Sequence, residues 1–287
     1  MVNGSDKAKK KLSKYFTEDE IHSLFIELED HQRAKKMNDK YFVKIGRNNN
    51  ELFFSNLEKE LTLYKENPKN KYLPKLIDSF HNKELCLIVL ERIKGKTIGK
   101  NRNNFRTHLS EEERKRIAKS ILKIKDLKIK TALEDNYNRE EKLDKYLEKS
   151  KEYIDIKTYN NIIDIKKEII KEEYPKVVAH GDLINTNILI NSDNQYLIDW
   201  EYISLKPKYY DLIFFSLFSK KRHSIDLLYE MNLNDKQVNE ALKDGIIICL
   251  KEIKNNAKLF GLLKNRIVKK SIKRWRKELV YILKEFE

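Results

Sequence analysis

In the stretch AHGDLINTNILINSDNQYLIDWEY, residues 179–202, Asn187 follows Asp182 by five positions and Asp199 follows Asn187 by twelve. Two carboxylates and an amide are the side chains that phosphoryl transfer needs. One carboxylate faces the acceptor hydroxyl, while the second and an amide oxygen hold Mg²⁺, a hard ion that prefers oxygen ligands. The reaction asks little covalent help of a protein; it asks that the acceptor oxygen be aligned with the γ-phosphate and the phosphate charge neutralised. An H-G-D triplet by itself is equally at home in a turn with a capping Asp. The combined spacing, with the apolar runs TNILI and YLID on either side of the turn-like NSDN, favours the chemical reading. Those runs predict a β-hairpin, with Asp182 and Asn187 on the loop leading in and Asp199 at the end of the second strand.

The elements that must hold these residues fall into two parts. The first third reads mainly as strands. HSLFIELE and KYFVKIG are β-rich runs, and the polar stretch 30–40 between them predicts a turn and part of another strand. Leu57, Leu61 and Tyr64 then recur near helical spacing, and the pattern stops before Pro68, which predicts a helix. PKLIDSF, the turn HNK and ELCLIVLERI predict a second strand pair, after which KGKTIGK supplies two of the chain's seven glycines at a lobe boundary. Beyond Lys96 the helical period takes over, with Ser110 and Glu113 as a capping box ahead of Ile117, Ile121 and Ile124. Amphipathic segments follow over residues 140–158 and 161–174, Pro175 ends the latter, and helices return from Tyr209 onward. The expected class is α+β: a small antiparallel-sheet lobe over roughly residues 1–95 and a larger helical lobe over 96–287 that carries the hairpin.

The catalytic stretch resembles that of the aminoglycoside phosphotransferase and choline kinase superfamily, distant relatives of the protein kinases. HGDLINTNILI matches the family's catalytic loop H-G-D-x-x-x-x-N, and LIDWEY its metal-binding I-D-[FW]-E segment. The resemblance implies a bilobal protein-kinase-like fold, ATP or GTP as phosphate donor, Mg²⁺ as cofactor and a small-molecule hydroxyl as acceptor. It implies that Asp182 is the catalytic base or acceptor-positioning carboxylate, that His180 braces the loop, and that Asn187 and Asp199 are the Mg²⁺ ligands. Asp211, in KPKYYDLIFF, is similar to the family's Asp-Leu that begins a buried helix, a structural role.

In this superfamily a strand lysine pairs with the α- and β-phosphates and is held by a glutamate on the following helix. YFVKIG offers Lys44, and NLEKELTLYKE offers Glu60, with Glu58 as its rival. CLIVLERIKGKTI is similar to the family's hinge, where backbone groups around Glu91, Arg92 and Ile93 face the adenine. One departure concerns the phosphates. Protein kinases cover them with a glycine-rich loop, because backbone without Cβ approaches so closely. Between residues 5 and 45 this chain has no glycine, which leaves the turn near Asp30, His31 and Gln32 to do the covering. Glu201 has two readings: a second metal or the acceptor site, or simple pairing with a lysine.

At 287 residues the chain is long enough for two lobes with apolar cores. The net charge of +15 suggests an anionic partner, yet basic residues interleave with acidic ones, as in KEIKNNAK, and no nucleic-acid reader motif is present. A solvated helical face is expected in place of a nucleic-acid partner. Cys86 and Cys249 lie far apart in apolar surroundings and read as reduced cysteines of a cytoplasmic protein. LIFFSLF is too short to span a bilayer, and the N-terminus lacks the apolar segment of a signal peptide, so a soluble monomer or homodimer is expected. Tyr202, Tyr209, Tyr210, Phe214, Phe215 and Trp275 read as core in preference to a cage for a quaternary ammonium. His31, His81, His108 and His223 show no zinc-site pairing. Residues 201–287 hold 19 Lys and Arg against 11 Asp and Glu, which argues against a polycationic aminoglycoside acceptor. A choline-like amino alcohol or a sugar-type acceptor is favoured, with aminoglycoside phosphorylation as the alternative. A pseudokinase scaffold and a basic nucleic-acid-binding protein are the alternatives from other classes.

Overall fold

The computed structural model describes residues 4–49, 51–99, 109–129, 133, 135, 137–191, 194–219, 224–263 and 266–287. It opens with two helices, α1 (Gly4–Leu12) and α2 (Glu18–His31), followed by β1 (Arg33–Met37) and β2 (Tyr41–Arg47). HSLFIELE is therefore helix, and the strand expected there does not form. The Thr17 hydroxyl accepts from the Glu20 amide while the Glu20 carboxylate accepts from the Thr17 amide, so two orphan donors are satisfied at once. Ile21, Leu24, Phe25 and Leu28 then share one buried face, and that burial outweighs local β preference. The helix ends at Gln32, whose left-handed φ of 62° lets its amide return to the Leu28 carbonyl.

Next come α3 (Glu51–Glu66), β3 (Leu76–His81), β4 (Leu85–Glu91) and the short β5 (Lys96–Thr97). The antiparallel sheet has the order β1-β2-β4-β3. Alternation along β2 sends Val43 and Ile45 into a core shared with Leu12, Leu24, Phe25 and Leu28 of the two N-terminal helices, and Lys44 to the opposite face.

The chain continues through α4 (Glu111–Ile121), α5 (Arg139–Ser150), α6 (Ile156–Asp164) and α7 (Lys166–Ile170). Ser110 and Glu113 form the expected capping box. The two amphipathic stretches divide differently from expectation: Asp155 accepts from the Thr158 amide and so starts a new helix at Ile156, and the last one ends at Ile170. Four short strands follow, β6 (Val177–Ala179), β7 (Ile188–Ile190), β8 (Gln195–Leu197) and β9 (Ser204–Lys206). The helices α8 (Tyr210–Ser219), α9 (Ser224–Glu230), α10 (Asp235–Leu263) and α11 (Arg266–Leu283) complete the chain.

Two compact units result. One comprises Met1–Thr97, Leu127–Leu133 and Asn187–Ile203; the other comprises Ile98–Asp126, Glu134–Thr186 and Ser204–Glu287. The expected hairpin, β7 with β8, belongs to the sheet-bearing unit, because β7 pairs with β5 and the Leu197 amide donates to the Tyr72 carbonyl at 2.8 Å. Gly95 makes that pairing feasible, since a Cβ there would stand 2.7 Å from the Ile190 carbonyl oxygen.

In the helical unit β6 pairs with β9, and α8, buried along its whole length, packs against α10. Phe214 stacks on Phe218 at 4.8 Å and Phe218 lies 5.1 Å from Trp275, so these aromatics are core, as are Tyr209, Tyr210 and Phe215. Tyr202 is exposed. Cys86 and Cys249 are buried and form no disulfide. Among the described residues no helix is long and apolar enough to cross a membrane. His108 and His223 lie outside the described residues.

Candidate active site

Lys44 projects from β2 away from the α1–α2 core and is 4% exposed, a position no lysine holds without anionic partners. Its ammonium donates to both oxygens of Glu60 on α3, at 2.9 and 2.8 Å, and to Asp199 Oδ1 at 2.6 Å. Burial works to lower its pKa, but Glu60 and then Asp199 outweigh that and hold it above the ordinary lysine range. The Tyr64 hydroxyl, kept protonated by burial, also donates to Glu60, at 3.2 Å. Of the two candidate glutamates, Glu60 is the one that meets Lys44. Glu58 lies on the surface, where its carboxylate meets His81 at 2.5 Å.

Asp199 stands just beyond β8 with a left-handed φ of 66°. That conformation costs a non-glycine residue about 1–2 kcal/mol and concentrates at functional sites. Trp200, fully buried, anchors the turn through its indole N–H to the Leu197 carbonyl at 2.9 Å. The Ile198 amide donates to the Asn187 carbonyl at 3.0 Å, so Asn187 and Asp199 are held at the two feet of one hairpin. Burial would raise the Asp199 pKa; Lys44 and then Lys35 outweigh it and hold the carboxyl well below the usual range.

Among the described residues no three His, Cys, Asp or Glu side chains gather as a standing metal centre. One carboxylate with one amide does suit Mg²⁺, which keeps waters and takes most of its remaining ligands from phosphate. Both lysines bond Oδ1 of Asp199, so Oδ2 is the oxygen on offer to a cation.

The H-G-D loop belongs to the helical unit and is built on backbone. Asp211, in the first turn of α8, accepts from the His180 amide at 2.6 Å and from the Gly181 amide at 2.9 Å. Burial raises the Asp211 pKa, opposed by His180 and these two amides. Gly181 takes φ of 84°, which glycine adopts without penalty. The His180 ring, fully buried, accepts the Asp182 amide on Nδ1 at 3.3 Å, a second tie within the loop.

At the expected hinge, the Glu91 amide donates to the Lys75 carbonyl and the Arg92 amide to the Lys40 carbonyl, at 2.9 and 2.8 Å. The Glu91 side chain accepts from the Lys75 amide, so its role in the strand edge is structural. Glu201 is half-buried; burial and the nearby Asp199 raise its pKa. The residue that sequence reasoning missed is Lys35 on β1, whose ammonium reaches Asp199 Oδ1 at 3.2 Å. The signal was its register, directly opposite Lys44, but in a strand as polar as RAKKM no alternation shows which side chains share a face.

A four-stranded antiparallel sheet carrying a lysine–glutamate pair, followed by an H-G-D loop and an I-D-W hairpin, defines a protein-kinase-like phosphotransferase. The chain belongs to the phosphotransferase enzyme family, matching it over residues 30–230. That family makes it a phosphotransferase, and its fold is shared with choline/ethanolamine kinase and aminoglycoside phosphotransferase structures. Among solved structures it shares its fold with a choline/ethanolamine kinase family protein from Mesorhizobium loti (TM-score 0.61, 13% identity, 88% of this chain and 89% of that one). It is likewise similar to an aminoglycoside 2′-phosphotransferase IIIa variant in complex with GDP (TM-score 0.58, 10% identity, 93% and 96% covered). A third similar structure is an amicoumacin kinase in complex with AMP-PNP, Ca²⁺ and Ami (TM-score 0.55, 10% identity, 94% and 95% covered). No curated protein sequence matches the chain.

Proposed function

We propose that the protein transfers the γ-phosphate of ATP or GTP, taken up with Mg²⁺, to a hydroxyl of a small metabolite, with a choline-like amino alcohol or a sugar-type acceptor favoured. The observation that carries this reading is the buried Lys44 ammonium bridging Glu60 and Asp199 at the foot of the hairpin. Lys44 takes the α- and β-phosphate oxygens, and Glu60 keeps its ammonium aimed. Asp199 and Asn187 hold the cation, which when bound neutralises the phosphate oxygens as charge redistributes. Asp182 orients the acceptor hydroxyl and receives its proton, while His180 and Asp211 fix the loop that presents it. The Glu91 and Arg92 amides are already donated, so the base is left to the other backbone groups around Glu91 and Ile93.

Two similar structures, holding GDP and AMP-PNP with Ca²⁺, support a nucleotide donor and a divalent ion. The basic surplus in residues 201–287 and the fold shared with the choline/ethanolamine kinase family protein support the acceptor preference. We read the protein as a cytoplasmic monomer or homodimer that works on metabolites, without a nucleic-acid partner.

The test is nucleotide consumption by purified protein with Mg²⁺, ATP or GTP, and a panel of choline, ethanolamine, sugars and aminoglycosides. One acceptor should stimulate turnover in the wild type, and Asp182→Ala should remove most of it, about 10²–10⁴-fold, while retaining nucleotide affinity. Stimulation by aminoglycosides alone would replace the acceptor class, and near-normal activity of Asp182→Ala would remove Asp182 from its role.

A further inference from the structure

Lys35 on β1 stands directly opposite Lys44 on β2, so both ammonium groups leave the same face of the sheet. Like charges in opposed positions repel, and here an anion lies between them: Asp199 Oδ1 accepts from Lys44 at 2.6 Å and from Lys35 at 3.2 Å. The two lysines are not equivalent. Lys44 is buried and also clamped by both oxygens of Glu60, whereas Lys35 has its side chain 37% exposed and pairs with Asp199 across the sheet face. Lys35 also lies three residues past the left-handed turn at Gln32, on the strand that begins where a glycine-rich turn would have covered the phosphates.

We propose that Lys35 is a second phosphate-binding cation, which neutralises Asp199 in the absence of nucleotide and passes to a β- or γ-phosphate oxygen once Asp199 engages the metal. The inference rests on the kinase reading above. When Asp199 turns to a divalent ion, Lys44 keeps Glu60, and Lys35 loses the carboxylate that the two lysines share. One carboxylate does not offset two ammonium groups on adjacent strands, and phosphate oxygens supply the missing negative charge. A lysine on its flexible stem makes a mobile point charge, well suited to exchanging one anion for another. The side chain thereby does what backbone amides do in a glycine-rich turn.

Calorimetric titration of the wild type, Lys35→Gln and Lys35→Arg with Mg·AMP-PNP, with AMP and with Mg²⁺ alone tests this. Loss of a charge-assisted phosphate contact should weaken Mg·AMP-PNP binding by Lys35→Gln about tenfold or more. AMP, which has no β- or γ-phosphate, should bind all three proteins alike, and Lys35→Arg should retain most of the Mg·AMP-PNP affinity. Mg²⁺ alone should bind Lys35→Gln at least as tightly as wild type, because a competitor for Asp199 has gone. Equal Mg·AMP-PNP affinity across the three proteins would overturn the proposal, and so would equal losses for AMP and AMP-PNP, the mark of a purely structural side chain. Failure of the wild type to bind Mg·AMP-PNP at all would sink the kinase reading and this inference with it.

Discussion

In the sheet-bearing unit Lys44 sits between Glu60 and Asp199, and in the helical unit Arg139 sits between Asp244 and Glu240. Arg139 donates from Nε and Nη2 to the two oxygens of Asp244 at 3.1 and 2.8 Å, and from Nη1 to the Lys171 carbonyl at 3.0 Å. The Tyr137 hydroxyl donates to the same Asp244, and Lys243 meets Glu240 at 3.2 Å. Glu240 Oε1 lies 2.8 Å from Arg139 Nη2 without the alignment of a hydrogen bond, so it contributes charge more than direction. Side-chain exposure is 1% or less at Arg139, Glu240 and Asp244. Asp199, by contrast, keeps 29% of its side chain exposed and bonds its second lysine at the surface. The chemistry is alike, and the difference is one open side. A closed cluster serves the fold alone, while an open one can trade a partner for a ligand.

The sharpest way to break that comparison is to remove the central cation from each. Arg139→Met should cost about 3–5 kcal/mol of unfolding free energy, because two buried carboxylates lose their partner. Denaturant titration with and without saturating Mg·AMP-PNP separates the clusters. At about 100 Kd of nucleotide the wild type and Arg139→Met should each gain roughly 2.7 kcal/mol, and Lys44→Met should gain little or nothing. A Lys44→Met protein with the full ligand-induced gain would remove the open cluster from nucleotide binding.

The second expectation concerns acid. Lys44 and Lys35 hold the Asp199 pKa below its ordinary 3.8, against the effect of burial. Its stabilising contribution is therefore complete above about pH 5 and is lost as pH falls through and below the ordinary carboxylate value. Asp199→Asn should be less stable than wild type near neutrality and show a shallower acid limb in thermal melts. Parallel acid limbs would contradict the coupling.

A third concerns base. The Lys206 amine lies 4.6 Å over the Tyr210 ring and 5.0 Å over Tyr137. Burial, with Lys251 and Lys142, lowers its pKa to about 8, while Asp211 and Asp244 pull the other way. Between about pH 8 and 10.5 the unfolded chain retains a proton that the folded chain has released, so this group makes stability rise with pH. Lys206→Met should abolish that rise relative to wild type in urea midpoints across the interval.

The smallest effect tests the N-terminal support of the sheet. Thr17→Ala removes one side of a capping box and should cost about 1 kcal/mol in unfolding, leaving phosphoryl transfer intact. A stability change within 0.3 kcal/mol, roughly the error of such measurements, would count against the cap at α2.

The candidate site was legible in the sequence to the extent that it was local. HGDLINTN and LIDWEY lie within one stretch whose polar residues interrupt apolar strands, so a short span carries both the motif and its scaffold. Lys44 and Glu60 were legible by order of elements, since a lysine between buried strand residues and a glutamate on the next helix form a recognisable sequence. The aromatic and β-branched content of α2 imitates a strand, and only T-E-D-E with the spacing of Ile21, Leu24, Phe25 and Leu28 marks it as a helix. Lys35 was out of reach for another reason. Its meaning lies in cross-strand register, and in a strand as polar as RAKKM no alternation reveals which side chains share a face.

The discontinuity of the sheet-bearing unit has a consequence for synthesis. Asp199 follows Lys44 by 155 residues, so at ordinary translation rates it leaves the ribosome roughly 8–30 s after its partner. Throughout that interval the emerging sheet holds Lys44 against Glu60 alone, with Lys35 unanswered, and the sheet-bearing unit finishes only after about half of the helical unit has been made.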